Sequence, residues 1–225
     1  GGSRSLELGL ITERALFRIG VAASGVAVLV GLVIWAVQGP GILLFGAMGL
    51  FAALFYTAPP LRLVARRGLG ELLVGLSFGP LMTAGTVFAL SGTVRPIDFL
   101  LGVPIGLLTA AILWINEVPD TPSDVPTGKL HLVATLGEAN ARWGYLALLG
   151  VAYALLGAAV AFGPLPATVL LAWLTLPVAV YATVILFRHY ADRTLVRANA
   201  ATIGLHLLFG VLSVVGILAG GLPAA

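Results

Sequence analysis

The sequence predicts an all-α fold: a polytopic bundle of about seven transmembrane helices with its N-terminus inside. Three observations carry this. Of the 225 residues, 60% are hydrophobic and only 9% are charged, against about 25% charged in an ordinary soluble domain. So little charge cannot cover a soluble globule, and so much hydrophobicity excludes a disordered chain. The apolar runs are also long and lack strand-like alternation, which selects helices over a barrel. Finally, the connections between runs alternate between charged and uncharged.

The seven spans follow from a window of about 20 apolar residues. They cover Ile19–Val37, Gly41–Thr57, Leu72–Leu90, Phe99–Ile115, Trp143–Phe162, Thr168–Phe187 and Ala200–Gly221. The second is short and is expected to tilt or dip. Many of the 29 Gly residues fall inside spans, where small residues let helices approach closely in lipid. The segments Gly1–Arg18, Ala58–Glu71, Asn116–Arg142 and Arg188–Asn199 are charged, and seven crossings put all four on one face. Of the 12 Lys and Arg, only Arg95 falls on the other face. The positive-inside rule makes the charged face cytoplasmic, in a multi-pass protein of the cell membrane. The net charge of +3 is then a feature of topology, and no nucleic-acid partner is implied. With no Cys, disulfides and thiol chemistry are excluded. No span interior carries a carboxylate, which disfavours a transporter.

Two charged segments carry the candidate chemistry. In Asn116-Glu117-Val118-Pro119-Asp120-Thr121-Pro122-Ser123-Asp124, Asn116, Asp120 and Asp124 recur every four residues, which puts three oxygen ligands on one helix face. Such a set suits Mg²⁺. Lys129 follows as a point charge for a phosphate. Pro119 and Pro122 interrupt regular helix, so a kinked end is expected, and a plain solvated loop is the alternative. The second segment is Phe55-Tyr56-Thr57-Ala58-Pro59-Pro60-Leu61-Arg62, followed by Arg66 and Arg67. It reads either as an interfacial tyrosine with topological arginines or as a basic loop receiving an anion. Both segments share a face, so acidic and basic groups could meet.

Together these residues resemble a family. Asn116-Glu117-x-x-Asp120-x-x-x-Asp124-x-x-x-Gly128-Lys129 is similar to the second aspartate-rich motif of the UbiA superfamily of intramembrane prenyltransferases. Phe55 to Arg62 resembles that family's tyrosine and basic loop. Gly68-Leu69-Gly70-Glu71-Leu72 with Phe78-Gly79-Pro80-Leu81 looks most like the branch that prenylates 1,4-dihydroxy-2-naphthoate. Gly1-Gly2-Ser3-Arg4 with Gly9-Leu10-Ile11-Thr12 resembles the stretch after the family's first aspartate-rich motif.

The resemblance implies one membrane-embedded domain over residues 1–225. It also implies that two of the family's nine helices, with the first motif, are missing from this sequence. After Lys129 the chain reads Leu130-His131-Leu132 where the family usually has Arg-Thr-Leu. The implied activity is Mg²⁺-dependent transfer of a prenyl group from a prenyl diphosphate to an aromatic acceptor in the bilayer, for quinone synthesis. Asn116, Asp120 and Asp124 would hold Mg²⁺. Arg62, Lys129 and Arg4 would face the diphosphate, and Tyr56 would line the reactive pocket. The alternative is a non-catalytic membrane subunit of a larger complex that lost the first motif.

Among the remaining polar residues, His206 inside the last span is read as a packing residue, with cofactor ligation the alternative. His131 and His189 are read as solvated. Glu138 and Arg142 are spaced to pair along one helix. Trp35 and Trp143 are read as interfacial anchors, and Arg188, Arg193, Arg197 and Asp192 as headgroup anchors.

Overall fold

The computed structural model describes Leu6 and residues 8–221; Arg4 lies outside the described residues. All regular structure described is helical. Helix α1 (Glu13–Gln38) starts at Thr12, whose hydroxyl accepts the Ala15 N–H, an N-cap that satisfies one of the helix's orphan donors. Helix α2 (Gly41–Thr57) follows a two-residue turn. Helix α3 (Leu69–Ser91) and helix α4 (Pro96–Asp124) form the next antiparallel pair. A five-residue helix, α5 (Leu132–Leu136), precedes α6 (Glu138–Ala161), α7 (Ala167–His189) and α8 (Leu195–Gly220). Six of these helices are long and apolar enough to cross a membrane, and α2 is a shorter apolar helix. The chain is therefore a multi-pass membrane protein, and each of the seven predicted spans falls on one of these helices.

Helix α4 is the central wall, packing against α3, α6 and α8. The core lies mainly among α4, α6, α7 and α8, around Leu108, Ile115, Tyr145, Leu149, Leu205 and Phe209. Hydrogen-bonded hydroxyl pairs tie it together: Tyr145 with Thr202 at 2.7 Å and Tyr153 with Thr175 at 2.6 Å. In lipid these bonds act between helices that have no hydrophobic drive to associate. The Trp114 indole donates to the Ala141 carbonyl at 2.8 Å. No residue of α1 is buried.

Two backbone features position the charged end. Helix α3 widens to a π-turn over Ser77–Leu81 around Pro80. Proline lacks an N–H and crowds the preceding turn, and the wider turn accommodates it. The same turn presents Gly79 to Gly102 and Gly106 of α4; a Cβ on Gly79 would stand 2.5 Å from the Gly102 carbonyl oxygen and 2.6 Å from the Gly106 Cα. No side chain fits between these backbones.

The second feature revises an expectation. The fourth span was expected to end at Ile115, yet α4 continues as α-helix through Pro119 and Pro122 to Asp124, then one 3₁₀ turn over Val125–Thr127. Each proline removes one N–H, but the buried faces of Trp114, Ile115, Glu117 and Val118 hold the segment against its neighbours. The acidic motif is thus a true helix face. Gly128, at φ 74° in the left-handed region that favours glycine, ends it and turns the chain back.

Candidate functional site

At the charged end, Lys129 returns over the last turn of α4 and its Nζ donates to Asp124 Oδ2 at 2.6 Å. Two residues on, His131 is fully buried. This corrects the expectation that it is solvated: the reversal at Gly128 drives it under α4. Its Nδ1 accepts the Ala134 N–H at 3.1 Å and so caps α5. Its Nδ1 also lies 3.6 Å from Glu117 Oε2, and its Nε2 lies 3.4 Å from Asp124 Oδ2. Burial pushes the His131 imidazole below its ordinary pKa, helped by the positive charge of Lys129, so it is neutral near pH 7. From α3, Glu71 reaches the same spot. Its Oε1 accepts the Leu132 N–H at 2.7 Å, which ties the start of α3 to the start of α5.

The buried ionisable residues of this end are therefore Glu71, Glu117, Asp124 and His131. Three of them carried no assigned role in the sequence reading. Glu117 had a usable signal, since it precedes Asp124 by seven residues, nearly two full turns, and so shares its face. Glu71 and His131 had none, because only the packing of α3 against α4 brings Glu71 there and only the reversal at Gly128 brings His131 there.

The predicted oxygen set runs along one side of α4 but differs in burial. Asp124 is buried, Asp120 is half-buried and Asn116 is exposed. Asn116 donates to the Ile112 carbonyl, and its Oδ1 accepts from Asn199 of α8 at 2.6 Å. Asp120 and Asp124 lie one turn apart, and among the described residues only Asp124 has a basic partner. Two carboxylates with oxygens to spare fit a hard cation such as Mg²⁺. Asn116, as oriented, offers only a second lone pair.

On the basic side, Arg62 is exposed with a left-handed backbone (φ 42°). Arg66 is committed elsewhere: its guanidinium donates to the carbonyls of Leu61 at 2.6 Å and Pro60 at 3.2 Å. It braces the loop that carries Arg62. Tyr56, at the end of α2, is within electrostatic reach of Glu117, Glu71 and Asp124. It closes one end of an apolar cleft of about 480 Å³ between α2 and α3, lined by Ala52, Leu73, Ser77 and Phe78. A second cleft of about 460 Å³ shares Gly49 and Ser77 with the first and runs on to Ile34 and Leu90. Together they make an apolar groove along α3, from Tyr56 and Leu73 at one end to Leu90 at the other.

Other side chains settle into packing roles. Arg142 makes no pair with Glu138, contrary to expectation. Its guanidinium donates to the Ala139 carbonyl at 2.7 Å and the Phe187 carbonyl at 2.9 Å, and lies over the Phe187 and Tyr190 rings at 5.2 and 4.7 Å. The free carbonyls and aromatic faces at the end of α7 outcompete a solvated carboxylate. His189 is not simply solvated but bonds Asp192 at 2.9 Å. His206 is half-buried and pairs with Thr109 of α4 at 3.1 Å, as a packing role requires.

The described residues thus form an all-helical membrane bundle with a buried acidic cluster at one end and an apolar groove between α2 and α3 that begins at Tyr56. Comparison with known proteins names the family. The UbiA prenyltransferase family model matches residues 3–209, and the chain belongs to that family. It is 34% identical over 155 residues to 1,4-dihydroxy-2-naphthoate octaprenyltransferase of Escherichia coli, covering 66% of this chain and 50% of that protein. It is 30% identical over 143 residues to the protein of the same name from Mycobacterium tuberculosis, covering 64% of this chain and 49% of that one. The Bacillus subtilis protein of that name is 25% identical over 205 residues, covering 91% of this chain and 66% of that one. The chain thus spans about half to two thirds of the length of these relatives. No solved structure matches it.

Proposed function

We propose that this chain forms part of a prenyltransferase that moves a prenyl group from a prenyl diphosphate to an aromatic acceptor of the 1,4-dihydroxy-2-naphthoate type, in quinone synthesis. The observation that carries this is the groove: an apolar cleft with the neutral Tyr56 at one end, within electrostatic reach of Glu117, Glu71 and Asp124. An isoprenoid tail fits the apolar length, with the diphosphate at the Tyr56 end. The family membership and the names of the relatives support the same reading. The charged end is cytoplasmic, on the positive-inside argument.

Asp120 and Asp124 hold Mg²⁺, with Asn116 at the edge of the set. When bound, the ion supplies positive charge that offsets the charge building on the departing diphosphate as the allylic C–O bond breaks. Lys129, held in place by Asp124, adds a second positive group. Arg62, on its braced loop, adds a third. Tyr56 and the walls of α2 and α3 keep water from the electron-poor allylic carbon until the aromatic ring attacks it. Arg4 belongs to the basic set by sequence position alone.

The test is product analysis. Membranes expressing the full-length gene are given prenyl diphosphate and 1,4-dihydroxy-2-naphthoate, and lipid products are read by mass spectrometry. Asp120→Asn and Asp124→Asn each lower product by about 100-fold or more while the protein stays folded. Full activity in both variants would refute the assignment. A folded wild type with no product on any aromatic acceptor would favour the non-catalytic subunit.

A further inference from the structure

The proposed transfer uses Asp120, Asp124, Lys129, Arg62 and Tyr56. It leaves unexplained three buried groups beside them. Glu71 is 5% exposed, Glu117 2% and His131 0%. Glu71 Oε2, Glu117 Oε2 and His131 Nε2 have no hydrogen-bond partner among the described residues. Burying unpartnered carboxylate oxygens is costly, and two carboxylates meeting in a dry site cannot both stay ionised without a cation between them. One ligand atom from each of the three residues lies within 4.8 Å of the other two. Three atoms each bound about 2.1 Å from one ion lie at most ~3.6 Å apart from one another, so closing on a metal takes approaches of up to about 1.2 Å between side chains, within reach of small rotamer adjustments.

We infer that Glu71, Glu117 and His131 form a second cation site, separate from the oxygen face of Asp120 and Asp124, that takes a first-row divalent metal such as Mn²⁺ or Zn²⁺. The imidazole decides the class, because Mg²⁺ favours oxygen ligands and water whereas nitrogen suits the transition metals. Of the two ring nitrogens, Nδ1 is the one beside a carboxylate of the set. His131 Nδ1 lies 3.6 Å from Glu117 Oε2, a spacing two ligands of one ion can share, and Nε2 faces Asp124 Oδ2 at 3.4 Å. With Nδ1 on the metal, Nε2–H donates to Asp124, the carboxylate–histidine–metal arrangement that orients such ligands. The Ala134 N–H then gives up its cap on Nδ1. A shared proton between Glu71 and Glu117 is the competing account. It would leave Nδ1 on its cap and His131 outside the pair, whereas a metal engages all three residues. Two carboxylates also balance the charge of a divalent ion. The site fastens α3, α4 and the chain after Lys129 to one another, beside Asp124.

The experiment uses the full chain purified in detergent, stripped with chelator and reloaded with Mn²⁺. The folded wild type is expected to retain one tightly held Mn²⁺ per chain whose pulsed-EPR spectrum carries imidazole ¹⁴N modulation. Glu71→Gln and Glu117→Gln are expected to weaken retention by about 100-fold or more, and His131→Gln to remove the nitrogen signal. Asp120→Asn is expected to keep both. Should His131→Gln not fold, the double variant His189→Gln/His206→Gln leaves His131 as the one imidazole and must keep the modulation. Failure of a folded wild type to retain Mn²⁺ or Zn²⁺ overturns the inference in favour of the shared proton. Retained Mn²⁺ without nitrogen coupling that is lost in Asp120→Asn also overturns it, and would support the Mg²⁺ reading alone.

Discussion

Replacing Gly79 by Ala tests whether the glycine crossing of α3 and α4 holds the bundle together. The added Cβ meets the Gly102 carbonyl oxygen at 2.5 Å and the Gly106 Cα at 2.6 Å, whereas ordinary contact begins at 3.4 Å. Both obstacles are backbone and cannot rotate away, so the helices must part by about 0.9 Å locally. Overpacking of this kind costs about 1–3 kcal/mol. For a chain of this size each kcal/mol lowers the melting temperature by roughly 2–4 °C, so a drop of roughly 2–12 °C is expected in detergent, read by fluorescence-detected size exclusion after a heating series. The control is Gly150→Ala in α6, where an added Cβ meets nothing within 4 Å. There alanine's helix propensity is expected to leave stability unchanged or raise it by up to about 1 kcal/mol. A Gly79→Ala protein that melts with, or above, Gly150→Ala would refute close backbone approach as the basis of the crossing.

Three further outcomes follow from the packing. Arg142→Lys loses the fork that serves two carbonyls and the stacking on Phe187 and Tyr190, at about 2 kcal/mol in thermal unfolding; an unaffected Arg142→Lys beside a destabilised Glu138→Gln would restore the expected pair instead. Tyr145→Phe and Thr202→Val, which remove a buried bond of 2.7 Å, each cost about 1 kcal/mol, and the double variant costs less than their sum, whereas strict additivity would show the hydroxyls to be uncoupled. The His189 bond, with Thr194 behind it, draws the exposed Asp192 carboxyl down to about 2 from an ordinary 3.8. Being depressed in the folded chain, it contributes stability above the ordinary value and loses it as pH falls through about 2. Carboxyl NMR of selectively labelled protein, with Asp192→Asn to assign the signal, checks this, and a midpoint near 4 would contradict it.

What was legible in the sequence was whatever local patterning dictates. Apolar run length located all seven helices, since lipid leaves the backbone few alternatives to a helix. The acidic repeat was visible because helix periodicity alone puts Asp120 and Asp124 on one face. The persistence of α4 beyond Ile115 was not visible, because local preference at Pro119 and Pro122 argues against helix and only the packing of Trp114 and Val118 overrides it. His131 was read as solvated for a similar reason: its burial depends on the reversal at Gly128, which Lys129 completes by pairing back to Asp124. Arg142 could choose the Phe187 carbonyl and the Phe187 and Tyr190 rings over Glu138 only because the tertiary fold brings them near.

The crossing and the acidic cluster are mechanically one feature. Gly79 lies eight residues beyond Glu71 on α3, or ~12 Å at helical rise, and Gly106 lies eleven residues before Glu117 on α4, or ~16 Å. Both helices are stiff and pack along their length, so the separation at the glycines sets the distance between Glu71 and Glu117. A side chain at the crossing would open the buried pair, release the Leu132 N–H from Glu71 and loosen the turn that holds Lys129 against Asp124. Placing two carboxylates, an imidazole and a lysine at the end of a lipid-embedded bundle demands that their partners not drift, and backbone contact between helices is the least compliant spacer a membrane fold offers. The run of small residues in α3 and α4 therefore bears on chemistry as well as on packing: it is the ruler against which the acidic site is cut.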